Sequence, residues 1–108
     1  MTAPFTTALR APRQPIVLGS PSGNTMHVRA QVLEAWDAVR IDANPSESIG
    51  NLKLRALEEL YPNAADPREF VVKLHGFEIL DESVSLADAG ATDGSIFLIA
   101  DRRRRPVQ

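Results

Sequence analysis

The sequence of 108 residues contains no cysteine, which excludes disulfides, thiolate catalysis and cysteine-ligated metal sites. It contains only two histidines, His27 and His75, and neither has a second metal-ligating side chain at close spacing. We therefore expect two exposed histidines and no metal site or cofactor. No apolar run approaches the roughly 20 residues of a membrane-spanning helix, and the first residues lack the basic start and apolar core of a secretory signal.

Catalytic patterns are also missing. No spacing of Ser, His and Asp fits a nucleophilic triad, and no glycine-rich loop fits a phosphate cradle. The adjacent acidic pairs Glu58-Glu59 and Asp81-Glu82 are interpreted as solvated surface. Because no residue set combines a nucleophile, a base and an orienting group, we predict a non-enzymatic protein, cytoplasmic by default.

The charge of the chain is unevenly distributed along its length. Residues 1–24 carry only two arginines, whereas residues 25–101 carry six basic and fourteen acidic residues and a net charge of −8. The last seven residues add four positive charges. The sequence thus predicts an acidic body that ends in a basic tail.

These composition changes divide the chain into three parts. Residues 1–24 contain four of the eight prolines and no periodicity, and they are predicted to be a flexible arm that includes one apolar stretch, Ile16 to Leu18. Residues 25–101 are predicted to form one globular domain, and residues 102–108 a flexible basic tail.

Apolar alternation predicts five strands, and helical spacing predicts one helix. The strands are centred on Val28 to Val32, Val39 to Ala43, Phe70 to Leu74, Glu78 to Leu80 and Ile96 to Ala100. The helix begins after Ser48, has its apolar stripe at Ile49, Leu52, Ala56, Leu57 and Leu60, and ends at Tyr61 because Pro62 follows. Leu86 and Ala91 are expected to anchor the long connection before the last strand. A single amphipathic helix must bury its stripe against a sheet, so the order β-β-α-β-β-β predicts a two-layer α+β domain.

Three segments in this order resemble ubiquitin and its relatives, of bacterial type. They are the strand-to-helix junction at residues 42–53, the strand, glycine turn and short strand at residues 73–80, and the Leu-x-Asp segment and turn at residues 85–95. The resemblance implies a β-grasp fold, in which a mixed sheet of four to five strands packs on one helix.

Ubiquitin-like modifiers carry a terminal Gly-Gly whose carboxylate is activated and transferred. The positions that match those glycines here are Arg105 and Pro106, and no glycine follows Gly94. Conjugation by the familiar mechanism is therefore not expected.

The resemblance also implies a binding patch on the sheet face away from the helix. Its central aliphatic position is Lys73, with Leu98 and Ala100 beside it. Alternation places further apolar residues on this face, so the predicted partner-binding set is Val71, Lys73, Ile96, Leu98 and Ala100. In the alternative interpretation, the stretch from Ile16 to Leu18 folds back and covers this face.

The arginine run and Trp36 complete the candidate residues. Arg102, Arg103, Arg104 and Arg105 fit a solvated tail, a phosphate-binding tail or a segment that docks in an acidic groove of a protein. Nucleic acid is not the favoured ligand, because the body is acidic and the run contains no aromatic residues. Trp36 is expected to fold back over the first hairpin in preference to anchoring a partner.

The leading functional prediction is a monomeric ubiquitin-like protein that acts through protein binding. It fits a modifier or carrier in a bacterial ubiquitination-like pathway, with activating and conjugating enzymes as partners. The alternatives are an accessory component of type VII secretion similar to YukD, and a phosphate- or RNA-binding β-grasp domain that uses the arginine tail.

Overall fold

The computed structural model describes residues 15–19, 25–64 and 66–102. These residues form six strands, one α-helix and two short 3₁₀ turns. The strands are β1 (Ile16–Leu18), β2 (Met26–Val32), β3 (Asp37–Ala43), β4 (Phe70–Leu74), β5 (Phe77–Glu78) and β6 (Ile96–Asp101). The helix α1 spans Ile49–Leu60, and the 3₁₀ turns span Leu33–Ala35 and Pro67–Glu69.

The strands form one mixed sheet in the order β1-β3-β2-β6-β4-β5. β1 runs parallel to β3 and β2 runs parallel to β6, whereas the other neighbouring pairs are antiparallel. Helix α1 packs on one face of this sheet, so the predicted two-layer α+β class is confirmed. The sheet has six strands, not the predicted four to five, because a segment before residue 25 adds β1.

Strand β1 pairs Ile16 with Ile41 and Leu18 with Ala43. Ile16 and Leu18 are buried in the core, while Val17 between them is exposed. The hypothesis that this segment covers the predicted binding face is wrong, because β1 lies at the edge of the sheet beyond β3. Within the predicted arm, residues 1–14 and 20–24 lie outside the described residues, and the limits of the arm and tail stay predictions.

Helix α1 begins and ends where its sequence signals predict. The Ser48 hydroxyl accepts a hydrogen bond from the backbone N–H of Asn51 at 3.1 Å, which caps the first turn. The chain leaves the helix at Tyr61, directly before Pro62. The predicted apolar stripe is buried, together with Leu86 and Ala91 from the connection before β6.

The hairpin between β4 and β5 differs from the prediction in its register. His75 and Gly76 both have positive φ, 55° and 85°, and form the two-residue turn between paired Leu74 and Phe77. His75 therefore lies in the turn, not on the strand. The short strand comprises Phe77 and Glu78, not Glu78 to Leu80, because a two-residue turn brings Phe77 directly opposite Leu74.

Candidate protein-binding surface

The sheet face away from α1, called here the outer face, is built from the alternate positions of each strand. Positions such as Val28, Ile41, Phe97 and Ile99 point into the core, so their neighbours along each strand point outward. The outward positions are Ala38, Arg40 and Asp42 on β3, His27, Arg29 and Gln31 on β2, Ile96, Leu98 and Ala100 on β6, Val71 and Lys73 on β4, and Glu78 on β5.

Three of the five predicted binding residues form an apolar stripe along β6. Ile96 is 49% exposed, and Leu98 and Ala100 are half-buried. Since β6 lies between β2 and β4, both edges of this strand are hydrogen-bonded within the sheet. The stripe is therefore held on a rigid element and remains accessible.

Val71 was expected to face water with this stripe, and that expectation is wrong. Val71 is only 2% exposed. The Arg102 side chain reaches from the end of β6 to Glu78 on β5, with Nη1 4.0 Å from Glu78 Oε2, and its Nη2 donates to the Arg68 carbonyl at 3.4 Å. Because β4 lies between β6 and β5, this span crosses the strand that carries Val71. Arg103, Arg104 and Arg105 lie outside the described residues.

Lys73 lies on the outer face of β4, beside the apolar stripe. Its register partners are Leu98 on β6 and Glu78 on β5, and it is half-buried. Within residues 15–19, 25–64 and 66–102, no carboxylate lies within ion-pair distance of its ammonium group. In the described part of the chain, a cation thus lies beside the apolar stripe without a counter-ion.

A second group of charges lies on the other side of the stripe. His27 Nδ1 lies 2.8 Å from Asp42 Oδ1, and Arg40 Nε donates to the same oxygen at 2.9 Å. Since Nδ1 donates its proton to Asp42, the Arg40 Nη2 atom 3.3 Å from it makes no hydrogen bond to that nitrogen. The hydrogen bond from His27, together with Arg40, holds the pKa of Asp42 below its usual value, against a smaller effect of burial.

Trp36 lies at the tip of the first hairpin and does not fold back over it. It is 91% exposed and has a left-handed backbone conformation, with φ of 54°. The preceding 3₁₀ turn sets this direction, since the Trp36 N–H bonds back to the Leu33 carbonyl. The expectation that the indole covers the hairpin is wrong, and the ring is available to a partner.

The described residues contain neither a metal-binding cluster nor a membrane-spanning helix. No group of three or more His, Asp or Glu side chains in that part of the chain is placed to hold a metal ion. No described helix is long and apolar enough to span a membrane.

Comparison with known proteins gives the architecture and no closer relationship. No family model matches the sequence, and no curated protein does so. The ubiquitin-like domain of an Arabidopsis thaliana protein superposes with a TM-score of 0.61 at 16% identity, covering 82% of this chain and 90% of that one. Ubiquitin from Caldiarchaeum subterraneum has a TM-score of 0.61 at 14% identity, covering 77% and 96%. A designed protein based on ubiquitin has a TM-score of 0.63 at 16% identity, covering 81% and 100%.

The chain has the ubiquitin-like β-grasp fold. At these identities the likeness shows the fold alone. One part of the outer face was missed from the sequence, namely the position of Arg29 directly opposite Arg40 in the β2–β3 hairpin. The signal was present, because alternation puts both arginines on the outward side and the hairpin register then pairs them.

Proposed function

We propose that this chain is a non-enzymatic protein-interaction domain that binds a protein partner through the outer face of its sheet. The observation that carries the proposal is the accessible apolar stripe of Ile96, Leu98 and Ala100 on a central strand. Apolar side chains flanked by cations are typical of the centre and rim of a protein interface. The opposite sheet face is already covered by α1, so only the outer face offers such a stripe on the sheet.

Rigidity of the stripe supports this use. Leu98 pairs with Gln31 on one side and with Lys73 on the other. A partner that binds here does not have to order the strand, so little conformational entropy is lost on association. We expect the free and bound backbones of β6 to be nearly the same.

The proposal is tested with two charge substitutions that are matched in type and differ in place. Leu98→Glu puts a carboxylate into the stripe, whereas Leu54→Glu puts one on the exposed side of α1 in the opposite layer. Immobilised wild-type protein and both variants are incubated with extract from the source organism, and the bound proteins are quantified by mass spectrometry. Partners retained by wild type and Leu54→Glu but lost from Leu98→Glu support the outer face; equal retention by all three proteins contradicts it.

As the more specific role we propose a modifier or carrier in a bacterial ubiquitination-like pathway. The fold it shares with an archaeal ubiquitin supports this role. Because the chain has no glycine after Gly94, this role requires tail chemistry other than that of a terminal Gly-Gly, and it predicts a covalent adduct, visible by intact mass, that forms with a cognate activating enzyme and ATP and is lost when residues 102–108 are deleted. If the enzyme binds but no adduct forms, the protein acts as a non-covalent adaptor, as a secretion accessory similar to YukD would. Retention on RNA at low salt would instead favour the phosphate-binding alternative.

A further inference from the structure

Beside the apolar stripe, the outer face contains a shallow cavity of about 390 Å³. It is lined by His27, Val28, Arg29, Arg40, Gly94 and Ile96. Arg29 is the register partner of both Arg40 on β3 and Ile96 on β6, so the three side chains form one row across the sheet. Two guanidinium groups and one half-exposed apolar side chain therefore share a single concave site.

The placement of Arg29 directly opposite Arg40 does not itself stabilise the sheet. Like charges directly opposite each other on neighbouring strands repel and destabilise the pair. Arg40 is partly neutralised by Asp42 through its Nε, but within the described residues no carboxylate lies within ion-pair distance of the Arg29 guanidinium. Among the described residues, the Arg29 guanidinium and the Nη donors of Arg40 thus have no carboxylate partner, and they can donate to an acceptor of a partner protein.

The sign of the local charge is opposite to that of the body. Residues 25–101 have a net charge of −8. Arg29, Arg40 and Lys73 nevertheless all lie on the outer face. Among the described strand residues, the carboxylates on this face are Asp42 and Glu78, and each lies within ion-pair distance of an arginine. A cationic face on an acidic protein attracts an acidic partner to that face and repels it from the others.

We propose that the Arg29–Arg40–Ile96 row binds an acidic peptide segment of the protein partner. A side-chain carboxylate of that segment accepts hydrogen bonds from Arg29 and Arg40, and an adjacent apolar side chain packs on Ile96. Guanidinium groups suit this task, because their fixed array of N–H donors matches the geometry of a carboxylate. This inference rests on the proposed function and names the chemistry of the partner.

The site is tested by NMR with a synthetic peptide of about eight alternating glutamate and leucine residues, acetylated and amidated at its ends. We expect chemical-shift changes at Arg29, Arg40, Gly94 and Ile96, and binding that weakens as ionic strength rises from about 0.05 M to about 0.5 M. Arg29→Gln is expected to weaken binding about tenfold, as loss of a charged partner does. Arg55→Gln, an exposed arginine of α1 in the other layer, is the matched control and is expected to bind as wild type.

Four outcomes would overturn the inference. A peptide with glutamine in place of glutamate binds equally well; Arg55→Gln weakens binding as much as Arg29→Gln; or inorganic phosphate produces the same shifts at the same concentration, which indicates a site for small anions only. Concentration-dependent self-association that is lost in Arg29→Gln would also overturn it, since the occupant would then be a second copy of this chain.

The inference and the proposed function fail in different ways. If the partner captured from extract is lost from Leu98→Glu but retained by Arg29→Gln, the outer face binds a protein without using the arginine row. If neither variant loses the partner, both proposals are contradicted. Folding of each variant is checked by the dispersion of its NMR spectrum before binding is compared.

Discussion

Lys53 is a buried lysine of α1, with 5% of its surface exposed. Its Nζ lies 2.7 Å from Glu82 Oε1 and donates to the Phe70 carbonyl at 3.1 Å. One side chain thereby ties α1 to the start of β4 and to the loop after β5. A buried ammonium group is tolerated only because both contacts compensate for the loss of water.

Lys53→Met is therefore expected to lower the free energy of unfolding by about 2–3 kcal/mol, because it leaves Glu82 and the Phe70 carbonyl without their partner. The value is below that of a fully buried pair, since Glu82 keeps some contact with water. Urea unfolding followed by circular dichroism measures the change. Arg55→Met, which removes an exposed ion pair on the same helix, is the control and should cost less than about 0.5 kcal/mol. Equal losses in the two variants would contradict the role given to Lys53.

Trp36 has a left-handed backbone conformation, with φ of 54°, that is strained for a residue with a side chain. A residue with a side chain is disfavoured in the left-handed region, and an indole that is 91% exposed contributes little burial in return. Trp36→Gly is expected to raise the free energy of unfolding by about 0.5 kcal/mol. Trp36→Val is expected to lower it by about 1 kcal/mol, because a β-branched residue fits this conformation poorly. Urea unfolding of both variants by circular dichroism is the measurement, and a lower stability for Trp36→Gly would show that the ring does pack on the domain.

At the scale of elements, β1 is the strand whose position in the sheet cannot be predicted from its local sequence. The other strands and α1 follow from local patterns: alternation, a serine cap and a terminating proline. β1 has only three residues, and its pairing with β3 is parallel and therefore joins segments that are distant along the chain. A short apolar stretch between prolines does not indicate which strand it will pair with. Its position follows from the free edge of β3, to which it pairs.

Leu18 of β1 is buried in the core, as are the inward residues of the central strands. Leu18→Ala is expected to cost about 2–3 kcal/mol of unfolding free energy, since the side chain is buried. Val17→Ala, one residue away on the exposed side of the strand, is expected to cost less than about 0.5 kcal/mol. Both values are measured by urea unfolding, as shifts in the midpoint at an unchanged m-value. Similar midpoints for the two variants would mean that β1 is not packed on β3.

At the scale of the whole molecule, the outer face could be predicted in outline but not in detail. Alternation within β2, β3, β4 and β6 places the right residues on the right side, because the side-chain period of a strand is fixed. Burial of Val71 could not be predicted from alternation, which places it on the outer face with Lys73, whereas the structure leaves only 2% of it exposed. The cavity at Arg29 and Arg40 requires the register of two separate strand pairs, which no single segment contains.

The distribution of hydrogen-bonded carboxylates over the molecule predicts how stability depends on pH. The pKa of Asp42 is lowered chiefly by its hydrogen bond from His27, that of Asp66 by Arg68 and that of Asp81 by Ser83. Each folded-state pKa lies below the unfolded value of about 3.9, so the ionised carboxylates stabilise the fold above that pH. This stabilisation is lost as the pH falls through the lower folded-state values.

We therefore expect the free energy of unfolding, measured in urea between pH 2 and pH 6, to be level above about pH 5 and to fall below about pH 4. Asp42→Asn removes one of the three groups. Its free energy of unfolding should therefore be lower than that of wild type above about pH 5 and should fall less steeply below about pH 4. Asp88→Asn is the control, because the Asp88 carboxylate has no hydrogen-bond or ion-pair partner among the described residues. A full acid dependence in Asp42→Asn, together with a flattened one in Asp88→Asn, would contradict the network of His27, Arg40 and Asp42 on which the charge balance of the outer face depends.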